Sequence, residues 1–598
     1  MIHYSISSSN PAAHYFDIEM RIQKPHKKGQ IVRLPAWIPG SYMIRDFAKN
    51  IIEIKAACKE KPLTLTQLDK SSWQLEPIDQ EVVIHYRVYA WDLSVRSAHL
   101  DTTHGFFNGS SVFLEVVGQS ESPCTVKIDR PENDACKEWR LATTLTRESS
   151  DEINFDFGRF TANNYEELID HPVEMGCFTQ FDYISGGIRH DVVLTGKFEC
   201  DVERLKTDLE KICTQQINLF SQTPPMTRYM FLVMVVGEGY GGLEHRESTS
   251  LLCSRYNLPQ SGQSKLTEEY RSFLGLCSHE YFHSWNIKRI KPEVFSQPDL
   301  STEVYTPLLW AFEGITSYYD DLALVRCGCI TAKDYLELIG QTITRVQRGQ
   351  GRLRQSAAES SFNAWSKFYK QDENSVNAIV SYYAKGSLIA LCIDLKIREL
   401  TSNQHSLDDV MRQLWSNYEA TGKGISEFEI QQIINDLLNK DVADYLHQMI
   451  YGVDELPLIE ALNYVSVNLD YRVNSGHQDK GGSEKEHLPV STIGIIVSET
   501  GGGLNIVSVS ENKSAQRAGL SADDVLIAIN GVRATMKSYA GLLALSQPGS
   551  KHEFIVFRRD ELMQFIVELD EPEQDTAVLN ISDINNPSLQ HWLVNLAS

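Results

Sequence analysis

The plainest chemistry in the chain lies in His279-Glu280-Tyr281-Phe282-His283. Positions i and i+4 share one face of a helix, so both imidazoles can reach one metal ion. Glu280 stands beside them and can take a proton from water activated by that ion. With 17 His in 598 residues, chance supplies on the order of 0.04 such patterns per chain, so coincidence explains the match poorly. The pattern needs a helix, and Leu266, Tyr270, Phe273, Leu274 and Cys277 carry helical spacing just before it. A catalytic zinc ion takes three protein ligands and keeps one position open. A third histidine six residues after His283 is absent, because that position is Arg289. A carboxylate on a following helix is the other source. In Leu308 to Val325 (LLWAFEGITSYYDDLALV), Glu313 lies in the apolar part, where a carboxylate is costly unless paired or metal-bound. Glu313 is therefore the expected third ligand. Asp320 and Asp321, two turns on, read as solvated or supporting groups, and Thr316 or Ser317 is placed to orient a ligand.

HEYFHSWNIKRIKP followed by LLWAFEGITSYY resembles the glycyl aminopeptidase family of zinc peptidases, gluzincins with a thermolysin-like catalytic domain. RLPAWIPGSYMIRDF (Arg33 to Phe47), VRSAHLDTTHGFFNG (Val95 to Gly109) and YGGLEHRES (Tyr240 to Ser248) resemble the same family, so the similarity spans the chain. The resemblance implies a β domain, then a catalytic domain, then a PDZ domain. It implies one zinc ion per chain and removal of small N-terminal residues, Gly or Ala, from peptide substrates. Gly241-Gly242-Leu243-Glu244-His245 is similar to the Gly-x-Met-Glu-Asn segment of the related aminopeptidase N group. There the Glu binds the substrate's α-amine and the Gly-rich backbone lies against the substrate. Glu244 is then the amine anchor, with Gly241 and Gly242 as substrate-binding backbone; Leu243 and His245 depart from the pattern. Tyr383-Ala384-Lys385-Gly386 resembles the Tyr-x-Lys-Gly segment of that group, whose Tyr donates to the oxyanion. Tyr383 takes that role, with Tyr382 as the adjacent competitor.

Ser514 to Val532 (SAQRAGLSADDVLIAINGV) looks like the core of a PDZ domain. Upstream, Ile493, Gly494 and Ile495 are the candidate carboxylate-binding loop, where backbone N–H groups would hold a peptide C-terminus. The loop lacks the usual Gly-Leu-Gly-Phe form, and a packing module that never binds peptide is the equal alternative. Two other readings of the whole chain follow. One is a zinc endopeptidase guided by PDZ recognition of substrate C-termini. The other is a catalytically weak PDZ interaction protein with a structural metal. The Glu between the two histidines argues against the second. Gly237 to Gly242 fits G-x-G-x-x-G, but no helical pattern follows, so it is not read as a dinucleotide site.

The elements that must position these groups follow from patterning. Residues 1–170 alternate as strands, as in Gln80 to Asp92 and Ser111 to Val117, and read as an antiparallel β-sandwich. Strands continue through 188–256, and helical spacing runs from Leu266 to about Leu462. The expected division is a β domain over 1–170, a thermolysin-like catalytic domain over 171–462 and a PDZ-like β domain over 463–572. A flexible loop falls near 474–487, and a tail over 573–598 ends in an amphipathic stretch. The overall class is multidomain α+β. Net charge is −23, which argues against nucleic acid and anionic membranes as partners. An acidic surface suits a substrate carrying an α-ammonium. No apolar run approaches the roughly 20 residues of a membrane helix. The 11 Cys are scattered and the N-terminus lacks a signal-like segment, so a cytoplasmic location is expected.

Overall fold

The alternation in Val82–Tyr89 becomes a strand that buries every second residue. It sits inside an eight-stranded sheet of the N-terminal β-rich domain. This is a computed structural model, and it describes residues 1–148, 155–220, 224–476, 478–483 and 490–594. The sheet departs from a purely antiparallel one, because Ile2–Ser7 and Cys124–Ile128 pair in parallel. Ser111 to Val117 is not one strand either. Gly109–Val112 closes a helical turn and only Glu115–Val116 pairs.

The chain divides into two compact units, Met1–Val304 with Trp415–Ile425, and Tyr305–Leu414 with Ser426–Ser598. The first holds a five-stranded sheet in the order Phe178–Ser185, Ile188–Gly196, Arg228–Val236, Ser248–Ser254, Tyr240–Glu244. Its middle strands pair in parallel, as Ile188–Gly196 does with Arg228–Val236. Parallel neighbours need a crossover, and Val202–Phe220 supplies it as a helix where strands alone were expected. Leu205, Leu209, Ile212 and Gln216 bury one stripe of that helix. Tyr240–Glu244 is the edge strand, and Leu243, fully buried, joins the hydrophobic core of the β-rich domain. The helix Glu268–Phe282 follows, capped by the Thr267 hydroxyl, which accepts from Tyr270 N–H, and with Glu268 and Glu269 in its first turn.

The second unit is helical and then β-rich. Leu308 to Val325 forms a π-helical turn, Trp310–Gly314, running into the α-helix Ile315–Arg326. The long helix Tyr382–Thr401 packs against it through two glycines. A Cβ on Gly314 would lie 2.5 Å from the Gly386 Cα, and one on Gly386 would lie 2.7 Å from the Trp310 carbonyl oxygen. Among the described residues one segment, Ser375–Thr401, which ends in this helix, has the length and hydropathy of a membrane span. Its apolar window is 72% buried inside the protein, which marks a core helix.

The C-terminal β domain has the strand order Ile495–Thr500, Gly503–Val509, Val525–Ile529, Lys551–Arg558, Glu561–Glu568, with helices Ser514–Ala518 and Met536–Leu545. The segment expected as a tail is built into the unit. Thr576–Ile581 pairs antiparallel with Val467–Arg472, and the Trp592 indole N–H, fully buried, donates to the Tyr318 hydroxyl at 2.9 Å. Of the loop expected at 474–487, residue 477 and residues 484–487 lie outside the described residues; Asp479 in its described part accepts from Arg472 at 2.5 and 2.8 Å. Among the described residues no cysteine is in a disulfide.

The glycine contact can be tested directly. Gly386→Ala forces a methyl against backbone that cannot move aside, so it should cost about 1–3 kcal/mol of stability. A lowered midpoint in thermal or urea unfolding checks it, and an unchanged midpoint would show that the helices separate freely.

Candidate active site

The first unit presents the HEYFH helix and the edge strand together. His279 and His283 stack one turn apart, ring centroids 4.6 Å apart and planes nearly perpendicular. His283 is 1% exposed, and its Nδ1 lies 2.8 Å from the Asn286 carbonyl oxygen. A carbonyl only accepts, so Nδ1 carries the proton and Nε2 keeps its lone pair for a metal. Two imidazole nitrogens at this spacing, one fixed in tautomer, suit a borderline-soft ion such as zinc.

Beside them sit two buried carboxylates. Glu280 and Glu244 place an oxygen each within 4.8 Å of one another and of a His283 nitrogen. The edge strand lies hard against this group. A Cβ on Gly242 would meet the Glu280 Oε1 at 2.0 Å, so only glycine leaves that carboxylate in place. Glu244 is pressed from its other side by Gly40, whose φ is +96° and whose added Cβ would lie 2.6 Å from both carboxylate oxygens. The Glu244 Oε1 is buried and has no hydrogen-bond partner among the described residues. Such an acceptor is costly to leave unmatched.

The neighbouring residues explain the departures in this segment. Leu243 is core rather than site, and His245 is buried with Nδ1 3.6 Å from Asp170. Asp170 also meets the Lys288 ammonium at 2.6 Å and accepts from the Arg246 backbone N–H at 2.9 Å. Burial works against its charge, but Lys288 and His245 hold the carboxyl well below the usual carboxylate range. A cavity of about 300 Å³ reaches Glu244 and is lined by Trp37, Tyr42, Ile287, Lys288 and Phe295. Trp285 and Arg289 have structural tasks. Trp285 stacks on Phe220 with centroids 4.7 Å apart, and Arg289 donates to the carbonyls of Ser284, Pro225 and Arg246.

The second unit presents Glu313 and Tyr383. Glu313 is 2% exposed and belongs to the π-helical turn, whose extra residue re-aims its side chain. Burial, then the charge of Glu313, pushes the Tyr383 hydroxyl well above its ordinary pKa, so it stays a donor. Tyr382 is fully buried and packs on Phe368 at 4.7 Å. Thr316 donates to its own helix at the Phe312 carbonyl, 2.6 Å away. In the C-terminal β domain Ile493 is buried, Gly494 has φ +75°, and Ile495 opens the edge strand Ile495–Thr500.

Sequence reasoning passed over Gly40, Asp170 and Arg96. Gly40 and Arg96 stood only within segments that resemble the family, with no role assigned, and Asp170 carries no local pattern. The Gly237 to Gly242 match leads into a strand, as its context required.

Residues 3–177 match the family model described as the Peptidase M61 N-terminal domain, and residues 272–389 match the one described as M61 glycyl aminopeptidase. An aminopeptidase N family protein from Idiomarina loihiensis has a crystal structure similar to this chain at a TM-score of 0.95 and 42% identity, covering 99% of this chain and 100% of that one. More distant are an M1 zinc metallopeptidase from Deinococcus radiodurans, at TM-score 0.45 and 10% identity over 76% of this chain and 94% of that one, and aminopeptidase A from Legionella pneumophila in complex with aspartic acid, at TM-score 0.46 and 13% identity over 75% and 49%. No protein with a curated description matches. With a 42%-identical relative over its whole length and two matching domain models, the chain belongs to the M61 glycyl aminopeptidase family of zinc metallopeptidases.

Proposed function

We propose that the protein is an aminopeptidase that removes small N-terminal residues, glycine or alanine, from peptides. The observation that carries this reading is the buried Glu244 carboxylate with an unmatched oxygen beside Glu280 and His283. A carboxylate in that state calls for a cation, and the α-ammonium of a peptide is the cation a peptidase substrate brings. It sets the distance from the N-terminus to the bond that is cut. The Gly40 and Gly242 backbones crowd the two carboxylates, which favours a substrate with little side chain at that end.

By the family resemblance, His279, His283 and Glu313 are the residues that would hold one zinc ion. When bound, zinc supplies a Lewis acid that polarises the scissile carbonyl and lowers the pKa of water toward about 7. Glu280 accepts the proton of the attacking water and passes it to the leaving amine. Tyr383, protonated through the neutral range, donates to the carbonyl oxygen as that oxygen gains charge. Gly241 and Gly242 offer bare backbone along the substrate. His283 is kept in its ligating tautomer by Asn286.

The C-terminal β domain supports a second, smaller proposal: a PDZ-like peptide site. Ile495–Thr500 is an edge strand, and Gly494 gives the loop before it a left-handed turn. A peptide adding to that edge would place its C-terminus at Ile493, Gly494 and Ile495.

Glu280→Gln should lower kcat by about 10²–10⁴-fold while zinc content stays unchanged. Full activity in that variant would remove Glu280 from the reaction. A peptide with a free N-terminus should be cleaved far faster than its acetylated form; equal rates would favour an endopeptidase, and no turnover of any peptide would favour an interaction protein. Gly40→Ala should raise KM by pushing Glu244 aside, whereas Gly242→Ala should lower kcat by pushing Glu280 aside. Steady-state kinetics separate the two, and a shared effect on both constants in both variants would mean a general loss of structure.

A further inference from the structure

We infer that Arg96 forms a carboxylate subsite at the far end of the substrate strand, so that the enzyme acts on short peptides ending near their third residue. This rests on the aminopeptidase reading of Glu244. Arg96 comes from the β-rich domain, and its Nη2 donates to the Gly242 carbonyl at 3.2 Å. A Cβ on Gly241 would lie 3.7 Å from its Nη1. Arg96 is half-buried, its Nε is buried without a hydrogen-bond partner, and no carboxylate pairs with it among the described residues. Arg33, half-buried in the same domain, has such a partner in Glu115 at 2.9 Å. A guanidinium held in this way is a ready partner for a carboxylate.

The strand register places it where that carboxylate would arrive. His245 N–H bonds the Ser248 carbonyl, and the pairing continues as Glu244 with Thr249, Leu243 with Ser250 and Gly242 with Leu251. Hydrogen-bonded and non-bonded pairs alternate in antiparallel strands. The N–H and C=O groups of Gly242 and Glu244 therefore point to the free edge. A peptide pairing antiparallel there, with its ammonium at Glu244, runs toward Gly242 and sets its third residue opposite it. At about 3.4 Å per residue, that is about 7 Å from the first. The Gly242 carbonyl that a longer strand would use already accepts from Arg96. What the place offers instead is the Gly242 N–H and a guanidinium, both donors. The third residue's α-carboxylate answers them, and an acidic third side chain offers the same chemistry.

The test uses the full-length, zinc-loaded enzyme with Ala-Ala-Ala and its C-terminal amide. The free acid should have a kcat/KM about tenfold or more above the amide, carried by KM, and Arg96→Gln should bring that ratio to about one. A wild-type ratio near one overturns the inference. So does an Arg96→Gln enzyme that is slower on both peptides with the ratio kept, which is the signature of a clamp on the strand. Ala-Ala-Glu-amide against Ala-Ala-Gln-amide tells the two carboxylate sources apart; a preference in that pair larger than that of acid over amide overturns the terminal-carboxylate reading. Acetyl-Ala-Ala-Ala tests the amine anchor separately, since its rapid cleavage would end the aminopeptidase reading while leaving the acid-to-amide ratio readable. If nothing turns over, calorimetric affinities of acid and amide for Glu280→Gln and for the Arg96→Gln, Glu280→Gln double variant give the same ratio.

Discussion

Two buried carboxylates beside one imidazole set the terms for everything around them. Glu244 and Glu280 lie within 4.8 Å of each other by their nearest oxygens, at 4% and 5% exposure. Acceptor oxygens this close and this dry call for a donor or a cation to match them. The carboxylates occupy space that only glycine leaves open: a Cβ on Gly242 would meet Glu280, and one on Gly40 would meet Glu244.

That arrangement depends on where the edge strand is anchored. Leu243 buries its side chain in the core of the β-rich domain, so residues 242 and 244 face the other way. Arg96 ties the free edge at Gly242, and Asp170, charged and paired with Lys288, steadies the turn after Glu244 through the Arg246 N–H. The N-terminal domain is therefore part of the wall around Glu244.

The helical unit solves a different problem, which is to present a carboxylate from within an apolar helix. The π-helical turn shifts Glu313 out of ordinary register, and the Gly314–Gly386 contact brings the Tyr382–Thr401 helix close enough to set Tyr383 beside it. The chain's last strand and helix brace this pair, with Trp592 on Tyr318 and Arg398 donating to the His591 carbonyl.

Local spacing alone marked His279, Glu280 and His283, because a single helix dictates their geometry. It also marked Glu313, because an acid in an apolar run is conspicuous wherever the run folds. The broad order of β-rich, helical and β-rich segments was equally legible, since the periods 2.0 and 3.6 are local properties. The crossover helix Val202–Phe220, the parallel pairings and the docked C-terminal strand were not, because each depends on partners far along the chain. Tyr382 and Tyr383 could not be told apart by spacing, and both rings pack on Phe368; only the fold decides that Tyr382 is the fully buried one. Gly40 and Arg96 show the limit most clearly. The glycine meets Glu244, and the arginine meets Gly242, across more than a hundred residues of sequence. No local pattern encodes a contact at that separation; it exists only once two domains have packed their cores against one edge strand.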